Sequence, residues 1–205
     1  MSMHQYRLGR HAIALVGALA VMLATADLAE GQRRVRADSV RNIQTVVPLF
    51  GPPGTVVEIA SENLPLAARI HLAVGAMHTG FETLAQGDQG EWGDISGQIR
   101  IPPSVSWDHP IYVIALNGVF SPIGLSEPFH VTDANGMIQR RGRITDEGDT
   151  CLTLRDDDEL LYALTGDIGD VSPGDEVLVE GVYSATSTCM EGSSIGVVRI
   201  VPSGR

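Results

Sequence analysis

Lysine is absent from this 205-residue chain, and aromatic residues make up only 5% of it. Arginine supplies all 14 basic side chains, a bias that GC-rich coding produces and that carries no functional weight. Against them stand 25 carboxylates, for a formal charge of -11 distributed as +2 before Arg41, -6 from Arg41 to Asp133 and -7 beyond. No basic stripe exists, which excludes nucleic acid as a partner, because phosphate neutralisation supplies most of that affinity. The same sign argues against adhesion to anionic lipid. Glycine-rich phosphate loops and dinucleotide fingerprints are missing, so no cofactor is expected. Long apolar runs are missing after Ala26: none approaches the ~20 residues of a membrane-crossing helix, and the mature form is not expected to be membrane-embedded. His71, His78, His109 and His130 form no HxH or HxxxH pair, so no metal site is expected. The stretch Gly124 to Pro128 has Ser126 but lacks the second glycine of a nucleophile elbow. No catalytic residue is assigned.

What is present begins at the N-terminus. Arg7, Arg10 and His11 precede a 15-residue apolar run, Ala12 to Ala26, that closes on Ala24-Thr25-Ala26. These are the parts of a secretory signal peptide cleaved before Asp27, which places the mature protein in the periplasm or outside the cell; the alternative is an uncleaved anchor, for which the run falls short of the ~20 residues of a spanning helix. Export makes sense of the cysteines. There are two, Cys151 and Cys189, and an even count in an oxidising compartment favours a disulfide over metal or redox chemistry. Closing a loop of roughly 40 residues, the bond contributes about 3–4 kcal/mol in the chain-entropy model.

From Gln44 onward short apolar runs alternate with glycine and proline, and no amphipathic helix of normal length is visible. Strands are expected at Gln44–Leu49, Val56–Ser61, Arg69–Val74, Phe81–Ala85, Asp94–Ile101, Ile111–Leu116 and Glu127–Val131. Asn117-Gly118 is expected to form a hairpin turn leading into Val119-Phe120. About seven strands in about 90 residues imply a β-sandwich. Gly97 interrupts the alternation of Ile95, Ile99 and Ile101, so loops must supply part of the core. After a polar hinge, Asp133-Ala-Asn-Gly136, five more strands are expected: Met137–Thr145, Cys151–Arg155, Leu160–Thr165, Glu176–Tyr183 and Ile195–Val201. That count suits a small OB-like barrel. Its expected core pairs are Leu152 with Leu154, Leu160 with Leu164, and Val198 with Ile200, with Val177 and Val179 facing inward. The fold class is therefore all-β, an immunoglobulin-like sandwich plus a five-stranded OB-like barrel. The expected organisation is a signal peptide at 1–26, a flexible leader at 27–43, the sandwich at 44–133 and the barrel at 137–202.

Two resemblances accompany this reading. Phe50 to Pro65 (FGPPGTVVEIASENLP) resembles the opening of IPT/TIG immunoglobulin-like domains, where a Pro/Gly turn precedes a strand and a Gly-x-Asn-Phe/Leu-Pro turn. Ser61-Glu62 stands where that pattern usually has glycine. Gly80 to Ala85 (GFETLA) and Ser126 to Thr132 (SEPFHVT) extend the similarity. The resemblance implies a spacer or adhesive module outside the cytoplasm. The C-terminal unit is similar to a family of small bacterial exported domains of unknown function, through Gly142 to Gly148 (GRITDEG), Cys151, Leu161 to Asp167 (LYALTGD), Pro173-Gly-Asp175 and Cys189-Met-x-Gly192. It implies an OB-like barrel and no known reaction.

Candidate ligand contacts are few. Trp92 and Trp107 fall in or beside loops, where a tryptophan either anchors a partner or closes a core. By analogy with OB domains, which bind across strands two and three, Tyr162 and Arg155 are expected on one barrel face, flanked by Arg143. Asp156 to Glu159 lacks the alternating ligands, central glycine and distal glutamate of a calcium loop, and is expected to be a hairpin turn with solvated carboxylates. The expectation is an exported, non-catalytic binding or scaffolding protein with a protein or glycan partner. The alternative is an enzyme inhibitor or hydrolase using the barrel face or the inter-domain cleft, which a buried, paired carboxylate would favour.

Overall fold

A computed structural model describes residues 40–186, 189 and 192–203. The expected signal peptide and the leader as far as residue 39 lie outside these residues. Every regular element among those described is a strand. No helix among them is long and apolar enough to cross a membrane.

One sheet runs β1 (Arg41–Ile43), β9 (Pro122–Val131), β8 (Pro110–Asn117), β5 (Ile70–Gly75), β6 (Phe81–Gly87), with β3 (Phe50–Gly51) added to β9. A second sheet runs β2 (Thr45–Val47), β4 (Val56–Ser61), β7 (Ile95–Arg100). Their facing residues form a single aliphatic core that includes Val57, Ile59, Ile99, Val113 and Val131, with Phe129 its one buried aromatic among the described residues. Loops feed this core as expected, through Leu64 and Ile101. The end expected for the leader needs correction. Arg41–Ile43 pairs in parallel with Gly124, Leu125 and Ser126, and Ile43 is buried in the core. A three-residue strand with one inward side chain leaves no periodicity to read.

The remaining strands close a barrel in the order β10 (Met137–Thr145), β11 (Thr153–Asp156), β12 (Leu161–Gly166), β14 (Ser194–Pro202), β13 (Glu176–Ser184). Four pairings are antiparallel, and β12 with β14 is parallel. Closure removes the exposed edges that an open sheet of this size would present. Ile138, Ile144, Leu154, Val177, Val179 and Ile195 fill the interior. Cys151 and Cys189 are bonded, 38 positions apart with Cα atoms at 5.7 Å, tying the approach to β11 to the β13–β14 connection.

Three local expectations fail for identifiable reasons. Val198 is 66% exposed, not core. Glu180 pairs with Arg199 and Gly181 with Val197, so Val198 is the extra residue of a bulge and the alternation skips it. The Asn117 turn is longer than the two-residue hairpin expected. Asn117 Oδ1 accepts from the N–H groups of Val119 and Ser121, and Phe120 takes the positive φ of 59°. Val119 and Phe120 are thus turn residues, and β9 begins at Pro122. The expected hinge after Asp133 is a closed turn: its carboxylate accepts from the N–H groups of Asn135 and Met137, and Gly136 sits at φ 78°. Those hydrogen bonds, the Met137 one foremost, hold the Asp133 carboxyl below its usual range.

Candidate functional site: the crevice between sandwich and barrel

β10 alternates inward and outward residues, and the inward set is Ile138, Arg140, Gly142 and Ile144. Arg140 therefore occupies an interior register, and its side chain is 1% exposed. A guanidinium there is tolerable only if its donors are satisfied. Nη1 donates to the carbonyls of Trp107 (2.8 Å) and Gln139 (2.7 Å), and Nε donates to the Tyr162 hydroxyl at 3.2 Å. Nη2 lies 3.4 Å from Nδ1 of His130, and Nε lies 3.7 Å from Asp156 Oδ2. Trp107 and His130 come from the sandwich, Tyr162 and Asp156 from the barrel. One side chain thus fastens both cores.

The aromatic residues behind it follow from strand register. Phe50 pairs with His130, whose ring stacks on Tyr183 at 4.1 Å, while Phe50 meets Tyr183 at 5.2 Å. With Arg140 facing Nδ1, the imidazole is neutral and that nitrogen accepts. Burial, and then the guanidinium, push His130 down to about 3. Burial pushes the Tyr162 hydroxyl well above its ordinary value.

Beside the arginine opens a cavity of about 230 Å³, lined by Asp108 and His109 ahead of β8, Gln139 to Arg141 on β10, Asp156 at the end of β11, and Asp157 and Asp158 in the turn after it. Here the expectation of solvated carboxylates holds for Asp157 and Glu159, which are exposed, and is corrected for Asp156 and the Asp158 side chain. Asp156 is buried, and its Oδ1 accepts from the N–H groups of Asp158 (3.1 Å) and Leu160 (2.7 Å), which shapes the turn. Its other oxygen, Oδ2, has no hydrogen-bond partner, and neither has Asp108 Oδ1. Burial raises Asp156 to about 6, against the opposing pull of the Leu160 N–H and Arg140. Asp158 Oδ2 meets His109 Nδ1 at 3.0 Å. Among the described residues, no three His, Cys, Asp or Glu groups converge as metal ligands.

The expected contact residues divide. Tyr162 does not share a face with Arg155: it is paired with Leu154 and buried inside the barrel, which excludes it from stacking on a ligand. Arg143 and Arg155 are register partners, but each is engaged, Arg143 by Glu176 at 2.7 Å and Arg155 by Glu147 and the Glu159 carbonyl. Trp107 packs against the sandwich core and lends its carbonyl to Arg140. Trp92 is 78% exposed on a turn fixed by Gly90 N–H to Asp94 O, Gly93 N–H to Gly90 O and Leu64 N–H to Gly93 O. Sequence reasoning missed Arg140, His130, Asp108 and Asp156. The Ile-Gln-Arg-Arg-Gly-Arg-Ile alternation carried a signal for the first of these, since Arg140 shares a face with Ile138 and Ile144.

Residues 141–202 match a family model described as a protein of unknown function (DUF5818), a span from the second half of β10 to the end of β14. No curated protein and no solved structure matches the chain. The similarity therefore covers most of the barrel and begins one residue after the arginine that fastens it to the sandwich.

Proposed function

We propose that this chain is an exported, non-catalytic binding module that meets a protein or glycan partner through Trp92. In this reading a signal peptide is removed before Asp27, an IPT/TIG-type sandwich occupies 44–133, and the barrel at 137–202 is carried rigidly beside it. The observation that carries the reading is the Trp92 indole, 78% exposed at the tip of a turn held by three backbone hydrogen bonds. A rigid exposed aromatic loses little freedom on contact. Covering its exposed fraction removes about 120–200 Å² from water, worth about 3–5 kcal/mol. Two turns support the IPT/TIG type: Gly54 at φ 94° in the Pro/Gly turn, and Asn63 at φ 59° before Leu64-Pro65. The Cys151–Cys189 bond suits an oxidising compartment.

A hydrolase remains a second reading because of one residue. Asp156 is buried, paired with Arg140 and raised to about 6 beside a cavity, the kind of carboxyl that serves as a general acid. Two measurements decide. The immobilised full chain and its Trp92→Ala variant are exposed to a glycan array and to envelope extract. A partner held by the wild type and weakened at least tenfold by the variant supports the binding reading, and equal retention by both refutes the role of Trp92. A panel of chromogenic esters, glycosides and peptides tests the other reading: turnover that Asp156→Asn abolishes would establish a hydrolase instead.

A further inference from the structure

We propose that the crevice between sandwich and barrel is a receptor for a single organic cation, an alkylammonium or alkylguanidinium group that supplies N–H donors to Asp108 and Asp156. The inference goes beyond the Trp92 reading and does not depend on it.

It starts from two unmet acceptors. Asp156 Oδ2 and Asp108 Oδ1 are shut away from solvent, line the same cavity, and lack any hydrogen-bond partner. Buried carboxylate oxygens without partners are rare and each calls for an explanation. The Asp156 side chain is 1% exposed, so bulk water does not hydrate it. Its Oδ1 is committed to the turn, which leaves Oδ2 for whatever enters the cavity. Arg140 does not answer that need. Its Nε is 3.7 Å away, beyond hydrogen-bond range, and donates to Tyr162.

Charge then selects the sign of the guest. Asp108, Asp156, Asp157 and Asp158 line the cavity against Arg140 and Arg141, an excess of carboxylates that repels an anion. The Arg140 nitrogens that could have bound an anion point at Trp107 O, Gln139 O, Tyr162 and His130. Donor geometry selects the type of cation. No three acidic, cysteine or histidine groups among the described residues converge on one point, whereas calcium takes about 6–8 oxygens. Acceptors from separate segments, Asp108 ahead of β8 and Asp156 at the end of β11, suit a group that carries several N–H bonds instead. Size sets the limit: about 230 Å³ lies below the roughly 300–1,000 Å³ that holds a drug-sized ligand. It fits a cationic head and a short alkyl stem. His109, half-exposed and 3.0 Å from Asp158 at Nδ1, belongs to the same lining.

The test is calorimetric titration of the full chain with butylguanidinium, butylammonium, tetramethylammonium, and a blocked Gly-Arg-Gly peptide. Binding of a small N–H cation or of the peptide is expected, with tetramethylammonium, which has no N–H, bound at least tenfold more weakly. Binding by butylguanidinium or butylammonium assigns a free small molecule, and binding by the peptide alone assigns an arginine side chain of a partner. Asp108→Asn is expected to weaken whichever probe binds by at least tenfold while near-ultraviolet circular dichroism stays unchanged. Trp92→Ala is expected to leave that affinity unaltered, so loss of partner capture by Trp92→Ala and loss of cation binding report on different sites. No binding of any N–H probe at millimolar concentration, equal binding of tetramethylammonium, or wild-type affinity in a folded Asp108→Asn would overturn the proposal.

Discussion

The groups on either side of Arg140 make stability respond to pH in opposite directions, and two variants separate them. His130 is held down to about 3 in the folded protein, against an ordinary 6.5. A depressed folded value means that the unfolded chain takes the proton first. Its contribution is complete above pH 6.5 and is lost as pH falls toward about 3. Between pH 7 and pH 4 that loss amounts to about 3 kcal/mol. Asp156 is raised to about 6 from an ordinary 3.8, so here the folded protein takes the proton first. Its contribution is complete below about pH 3.8 and is lost as pH rises through about 6. Over the same interval it changes by about 2.5 kcal/mol in the opposite direction. In the wild type the two largely offset each other between pH 6.5 and pH 4, which hides both.

His130→Phe keeps a planar ring against Tyr183 and removes the titration, while Asp156→Asn keeps an oxygen for the Leu160 and Asp158 N–H groups. Urea unfolding of each variant and the wild type at pH 7 and pH 4 supplies the stabilities, and the difference from wild type cancels the other carboxyls. Relative to wild type, His130→Phe should gain about 3 kcal/mol on going from pH 7 to pH 4, and Asp156→Asn should lose about 2.5 kcal/mol. Flat differences, or two of the same sign, would refute the reasoning. A flat Asp156→Asn difference would mean that Arg140 outweighs burial and keeps the carboxylate ionised.

Three further expectations test the framework around that pair. Arg140→Ala leaves Asp156 buried without a counter-charge and should cost about 3–5 kcal/mol, a melting temperature lower by on the order of 10 °C, with part recovered in Arg140→Met/Asp156→Asn. Replacing Cys151 and Cys189 by serine releases a loop of 38 positions and should cost about 3–4 kcal/mol in chemical unfolding, with a wild type pretreated with reductant matching the variant. Gly142→Ala would drive its Cβ into the Arg155 carbonyl oxygen and the Asp156 Cα across the β10–β11 pairing. It should cost about 1–3 kcal/mol in the same assay.

Strands were legible in this chain because the two-residue period acts locally: each of Val56–Ser61, Met137–Thr145 and Glu176–Ser184 carries its own alternation. Faces were less secure, because assigning one needs an unbroken register. The bulge at Val198 turned a residue with the right chemistry outward, and nothing in Ile-Gly-Val-Val-Arg-Ile marks which position is skipped. Tyr162 failed differently. Analogy with OB domains put it on a binding face, but inside a barrel a tyrosine is stable wherever a donor reaches it, and Arg140 is that donor.

The crevice lay beyond the sequence for a further reason. Arg140 could be placed inside by counting twos from Ile138, yet the groups that make its burial tolerable are 10, 22 and 33 positions away. One of those partners, and a second at Gln139, is a backbone carbonyl, which every residue has and no sequence distinguishes. Side-chain chemistry can be read along a chain. The fastening of these two cores depends on main-chain oxygens delivered by the Trp107 loop and by β10, and those exist as a site only after both halves have folded.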